Sequence, residues 1–195
     1  MEQFKLDSNY WNDRYQQGNT GWDLQKVSTP IKYYLDQVSN KNLSILIPGC
    51  GNAYEAEYAN SLGFYNVHIL DYAELAIENF LSRHPNFNLK HVHNEDIFLH
   101  TSHYDLIIEQ TLFCAISPEL RNLYANKMHD LLNTGGKLVG VLFDRDFEGG
   151  PPFGGNKEEY LKYFSPLFNI KTFERCYNSI EPRTGTELFI ILEKK

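Results

Sequence analysis

The sequence predicts an α/β fold: a mostly parallel seven-stranded sheet with helices on both faces, ending in an antiparallel hairpin. Two observations predict the parallel part. From residue 43 onward, short apolar runs alternate with segments of helical period. Between them stand the punctuation marks of strand–helix units: glycine after a run, proline or a capping residue before a helix. A third observation predicts the hairpin. The last two β-type runs have no helical segment between them, so they pair antiparallel.

The elements follow in order. Ser8 to Gln17 reads as a helix, Gly18 to Asp23 as a loop, and Thr29-Pro30 opens a helix reaching Val38. Leu43 to Ile47 is a buried strand bounded by Pro48-Gly49. Asn52 to Leu62 is a helix stopped by Gly63. Val67 to Leu70 is the second strand. Asp71, with Glu74 three positions on, has the pattern of a capping box for a helix ending near Arg83, before Pro85. Leu89 to Val92 and Tyr104 to Glu109 are the third and fourth strands. Ser117-Pro118 opens a helix ending near Leu132, and Gly135-Gly136 lead to a fifth strand, Lys137 to Phe143. Asp144 to Asn156 is a loop rich in glycine and proline, and a helix runs from Asn156 to Phe164. The final runs are Ile170 to Ser179 and Thr186 to Leu192.

At 195 residues the chain has the length of about one domain. Residues 1–40 are expected as a helical cover over the carboxyl edge of the sheet, and residues 41–195 as the core. With 42% hydrophobic and 22% charged residues the composition is that of a globular protein. A net charge of -7 argues against general nucleic-acid binding, which needs a positive surface. No apolar run approaches the roughly 20 residues of a membrane span. The start has no basic segment followed by an apolar one, so no secretory signal is expected. Cys50, Cys114 and Cys176 are dispersed and odd in number, which points to free thiols in a reducing cytoplasm. Nothing resembles a coiled coil, and a monomer is expected.

The chemistry gathers at predicted strand ends. Pro48-Gly49-Cys50-Gly51-Asn52 links a strand to a helix, where glycines let the backbone approach a ligand at the helix N-terminus. Tyr54 occupies the third position of a GxGxxG pattern, which weakens a plain dinucleotide reading. Asp71 closes the second strand 22 positions after Gly49, where a carboxylate can accept from both ribose hydroxyls. Asn94-Glu95-Asp96-Ile97-Phe98 follows the third strand, where a carboxylate can accept from an adenine amino group and Ile97 offers an apolar face to the ring. Together these positions describe a nucleoside site.

The whole resembles the Rossmann-like class I S-adenosylmethionine-dependent methyltransferases, whose sheet ends in such a hairpin. Four stretches narrow the resemblance: Trp11 to Trp22, Ile47 to Gly51, Glu109 to Ala115 and Gly150 to Gly154. They are similar to the thiopurine S-methyltransferase family, which includes halide and thiol methyltransferases. The resemblance implies S-adenosyl-L-methionine as cofactor and S-adenosyl-L-homocysteine as product. It implies Trp11, Tyr15 and Trp22 as aromatic cover, Gly49 in the backbone turn, Asp71 at the ribose, Asp96 and Ile97 at adenine, and Gln110 at the methionyl end. Thiopurine-specific relatives often carry arginine where this chain has Gln110. The run from Glu109 to Ala115 sits closer to the halide and thiol branch.

A small, soft nucleophile is therefore the expected methyl acceptor: a thiol, hydrosulfide or halide. Thiopurines, oxidised selenium and tellurium species, and a binding module without catalysis are the alternatives; a nicotinamide-dependent oxidoreductase is disfavoured by Tyr54 and the hairpin. The substrate pocket is expected from Trp22, Phe113, Phe153 and Arg183, with no residue serving as general acid or base. Cys50, at a helix N-terminus, and Cys114 read as packing residues. His91-Val-His93 puts two imidazoles on one face of a strand, with His100 and His103 nearby. No cysteine or carboxylate at matching spacing joins them, so no metal is expected.

Overall fold

The computed structural model describes residues 6–195. Strands β1 (Ile45–Pro48), β2 (Val67–Asp71), β3 (Val92–Asn94), β4 (Tyr104–Gln110), β5 (Leu132–Phe143), β6 (Phe168–Arg175) and β7 (Glu187–Lys194) form one sheet. Their order is β3-β2-β1-β4-β5-β7-β6. Strands β1 to β5 are parallel; β7 lies between β5 and β6 and is antiparallel to both. The hairpin and seven strands expected from the sequence are present. The order reverses between β1 and β4, so the connections there part and leave a crevice at the carboxyl ends.

The helices are α1 (Ser8–Gln16), α2 (Thr29–Gln37), α3 (Tyr54–Ser61), α4 (Glu74–Arg83), α5 (Arg121–Leu131) and α6 (Lys157–Phe164). Alternate strand residues face opposite layers. Ile45, Ile47 and Ile69 pack with Ile31 and Leu35 of α2, Ala56 and Ala59 of α3 and Phe80 of α4. Leu46, Ile107, Leu138 and Ile190 pack with Tyr124 and Met128 of α5 and Tyr160 and Phe164 of α6. Burial on both faces is why these strands read as continuous apolar runs rather than alternating ones. Each such side chain contributes roughly 1.5–3 kcal/mol.

Several boundaries differ from the sequence expectation, among them the starts of β1 at Ile45 and α3 at Tyr54 and the span of β6, Phe168–Arg175. Leu89–His91 forms a 3-10 turn instead of a strand, because the Asn88 side chain accepts from Lys90 N; β3 begins at Val92, opposite Ile69. Strand β5 begins at Leu132, which pairs with Tyr104 before an irregularity shifts the register to Leu106 opposite Lys137. Asp71 belongs to β2 and is not the cap of α4. Its carboxylate accepts from Gly51 N and Ala73 N, each at 2.8 Å. A 3-10 turn, Pro118–Leu120, precedes α5.

Candidate active site

A cavity of about 920 Å³ opens at the carboxyl ends of the parallel strands. Its wall brings together Trp11, Tyr15 and Trp22 from the N-terminal segment, Gly49 after β1, Asp71 of β2, Asp96 and Ile97 after β3, and Arg183 from the turn before β7. Gly51 and Gln110 line a smaller pocket that shares Trp22, Gly49 and Thr111 with it.

The turn after β1 is shaped by glycine. Gly49 has φ +58°, and a Cβ there would lie 2.8 Å from Leu112 Cδ1. Gly51 has φ +53°, and a Cβ there would meet the Tyr15 hydroxyl at 2.9 Å. Both backbone conformation and space therefore require glycine. Asp71 holds this turn through Gly51 N and is buried. Burial raises its carboxyl above the usual carboxylate range, against the pull of the backbone N–H groups. One lone pair on each oxygen remains for a ligand hydroxyl. Asp96 Oδ1 accepts from Phe98 N at 2.9 Å, which orients the carboxylate beside buried Ile97.

The N-terminal cover is an aromatic cluster centred on Trp22. Its ring meets Trp11 edge-on at 5.5 Å and Tyr15 at 5.7 Å between centroids. Two polar contacts seat the cover: Leu75 N donates to Asn12 Oδ1 at the start of α4, and Asn52 donates to Asp23. Burial, with Asp71 nearby, raises the Tyr15 hydroxyl, so it stays protonated. Arg183 joins the cover to the hairpin. It donates to Trp22 O at 3.2 Å and to Glu187 Oε1 at 3.4 Å, and its guanidinium lies 5.4 Å from the Phe143 ring centroid.

Phe113 and Phe153 do not line the cavity. Thr111 takes φ +66°, and the chain reverses direction after β4. Leu112 faces Gly49, whereas Phe113 is buried against Tyr124, Tyr160 and Phe164. Phe153 folds beneath Gly150 and donates its N–H to Cys114 O at 2.7 Å. Pro151 and Pro152 form the wall in its place. Arg121 anchors that loop: it is buried, pairs with Glu159 at 2.7 Å, and donates to Phe153 O and Gly154 O. Leu112, Ile116, Phe143, Phe147 and Arg145 also line the cavity. Sequence signals for these were weak, since apolar residues after a strand serve core and pocket alike.

Cys114 is on the wall, with its thiol pushed up to about 12 by burial. Burial also raises Cys50 well above the usual thiol range, so neither is a thiolate nucleophile. Among the buried polar atoms of the described residues that lack a hydrogen-bond partner, two belong to residues that line these pockets: Gln110 Oε1, an acceptor, and Arg14 Nε, a donor. A ligand with an ammonium and a carboxylate on a nucleoside fits this donor set: an acceptor and a cation for the amino-acid end, carboxylates for ribose and base.

A family model for thiopurine S-methyltransferase matches residues 6–193. The chain belongs to the thiopurine S-methyltransferase family. It is 33% identical over 184 residues to probable thiol methyltransferase 2 of Arabidopsis thaliana, covering 91% of this chain and 81% of the relative. It is 31% identical over 184 residues to thiocyanate methyltransferase 1 of Brassica oleracea, with the same coverage. The fold is similar to that of 1,6-didemethyltoxoflavin-N1-methyltransferase of Burkholderia thailandensis, solved with S-adenosylhomocysteine. The TM-score is 0.74 at 16% identity, covering 96% of this chain and 87% of that one. As a thiopurine S-methyltransferase family member the chain is an S-adenosylmethionine-dependent methyltransferase, and its sheet is the Rossmann-like sheet of that class. Among the described residues no helix is long and apolar enough to cross a membrane.

Proposed function

We propose that this methyltransferase transfers the methyl group to a small, soft, anionic nucleophile: a thiolate, hydrosulfide or halide. One observation carries the reading. The acceptor end of the cavity joins Arg183 and Arg145 to Phe143, Phe147, Pro151 and Pro152, and among the described residues no histidine or lysine lines the cavity. Such a wall attracts an anion and strips it of water. It offers no group suited to taking a proton near neutral pH, and an ionised soft nucleophile needs none.

The cofactor, when bound, supplies an electrophilic methyl carbon on a positively charged sulfur. The acceptor's lone pair forms the new bond, and the carbon–sulfur pair stays on the departing sulfur. Opposite charges merge along this path, so a dry apolar wall does not oppose it as water would. The residues contribute alignment. Asp71 would hold the ribose, Asp96 and Ile97 the adenine, and Gln110 Oε1 the amino group. Trp11, Tyr15 and Trp22 would supply aromatic contact to the sulfonium, each worth roughly 0.5–2 kcal/mol. Gly49 and Gly51 keep the backbone close. Residues 6–40 act as the cover of a single catalytic domain; residues 1–5 of the expected cover lie outside the described residues. The thiol and thiocyanate methyltransferases among the relatives support this acceptor class.

The test is S-adenosylhomocysteine formation with hydrosulfide, aromatic thiols, iodide, bromide and a thiopurine, one acceptor at a time. Turnover on hydrosulfide, thiols or halides is expected. Turnover on the thiopurine alone would overturn the acceptor assignment. Cofactor binding with no turnover on any of them would overturn it too.

A further inference from the structure

The edge strand β3 and the loop after it carry a cluster that meets the cavity wall through Glu95 alone, with both its histidines outside that wall. His93, Glu95 and His100 present one ligand atom each, all within 4.8 Å of one another. Glu95 stands between the two imidazoles. Its Oε1 is 2.7 Å from His100 Nδ1 and 4.0 Å from His93 Nδ1. Glu95 stands two positions after His93 and five before His100 in the sequence, and the loop folds it between them.

The remote nitrogens of both rings are already held. His93 Nε2 is 3.0 Å from His68 Nδ1, and His68 Nε2 is 3.0 Å from Asn66 Oδ1. The Asn66 oxygen only accepts, so the proton of His68 sits on Nε2. His68 Nδ1 is then an acceptor, and the proton of His93 sits on Nε2. This relay leaves His93 Nδ1 as a bare lone pair facing Glu95. His100 Nδ1 is hydrogen-bonded to Glu95 Oε1 at 2.7 Å, so an ion displaces the proton between them; Nε2, 2.8 Å from the Tyr104 hydroxyl, can then donate to that oxygen. His68 is further fixed by His91, stacked with ring centroids 4.1 Å apart. An imidazole whose second nitrogen donates to an outer partner is the usual form of a metal-ligating histidine.

The donor set selects the ion. Two imidazoles and one carboxylate suit zinc and its first-row neighbours, whereas calcium and magnesium prefer oxygen alone. We propose that His93, Glu95 and His100 bind a divalent first-row transition ion, with His68 as a positioning residue. Ligand atoms at about 2.0–2.2 Å from such an ion stand roughly 3.3 Å apart. The 2.7 Å contact therefore opens and the 4.0 Å contact closes, each by a fraction of an ångström. Glu95 can make that adjustment, because its side chain is 39% exposed, against 3% for His100. Three protein ligands leave the remaining position to water.

This inference is independent of the methyl acceptor, and its readout is binding. The full chain, without a histidine tag, is titrated with cobalt(II) while visible absorption is recorded, and then with zinc by calorimetry. Saturation at one equivalent is expected, with zinc displacing cobalt. Glu95→Gln and His93→Ala should each weaken binding by more than about tenfold, because each removes a ligand. His68→Phe should weaken it by about tenfold through the relay, with the circular dichroism spectrum unchanged. His103→Ala, outside the cluster, should leave binding unaltered. Absence of saturable binding would overturn the proposal. So would binding that Glu95→Gln and His93→Ala leave intact.

Discussion

The two ends of the cavity are built differently. The end proposed for the nucleoside stands on the parallel strands: Gly49 after β1, Asp71 closing β2, Asp96 and Ile97 just after β3. Their positions are fixed by strand register and by short backbone hydrogen bonds. The acceptor end is assembled from the turn after β4, the proline loop after β5 and the turn before β7. It is held by side chains reaching from elsewhere, Arg121 and Arg183 above all. A cofactor recognised in one fixed geometry suits the first construction. An acceptor site that can diverge without disturbing the sheet suits the second.

That contrast can be broken by removing an anchor at either end. The largest effect is expected from Arg121→Met. It removes a buried cation, its pairing with Glu159 and its bonds to Phe153 O and Gly154 O. The cost should be about 3–5 kcal/mol, or a fall in Tm of about 10 °C by calorimetry. In the surviving folded protein, kcat/KM for the acceptor should fall while cofactor affinity holds. An equal loss of both would show that the two ends are not separable.

Next comes Asp71→Ala, on the nucleoside side. Two hydrogen bonds from a carboxylate are worth about 1.5–3 kcal/mol each. Affinity for S-adenosylhomocysteine, measured by calorimetry, should drop by about 100-fold or more. Unchanged affinity would sink the ribose assignment. Arg183→Leu should be milder and of opposite emphasis. KM for hydrosulfide should rise about tenfold. Cofactor affinity should fall by no more than about fivefold, the loss of one bond to Trp22 O.

The smallest effect concerns Glu109, which lies beneath the acceptor end. It is fully buried, accepts from Phe113 N at 3.0 Å and from the Tyr124 hydroxyl, and burial lifts its carboxyl to about 7. The folded chain thus binds this proton more tightly than the unfolded chain, whose value is near 4.5. The stability this group contributes is complete below pH 4.5 and is lost as pH rises through 7. Glu109→Gln removes that slope. Its Tm relative to the parent should improve by a few degrees between pH 5 and pH 8; a constant difference would refute the assignment.

The same contrast explains what could be read from the sequence. Asp71, Asp96 and Ile97 were legible because apolar runs mark strand ends, and strand ends place residues. Phe113 was not. Its position depends on a left-handed backbone at Thr111, which a β-branched residue rarely adopts and no pattern announces. Phe153 was misplaced for a related reason. Pro151 and Pro152 reach the cavity, and Phe153 turns under Gly150. Arg183 was found by its charge, but its bond to Trp22 spans 161 positions and leaves no local trace. Glu95 is two positions from His93 in the sequence, but its 2.7 Å contact with His100 depends on the loop.

The Arg183 bond has a kinetic meaning. One guanidinium fastens the lid and also charges the acceptor wall. On the proposed function, lifting this segment to exchange cofactor would release the cation that draws in the anion. Turnover should accordingly be a sequence with one entrance: cofactor first, anion second, and the methylated product leaving before the lid lifts again.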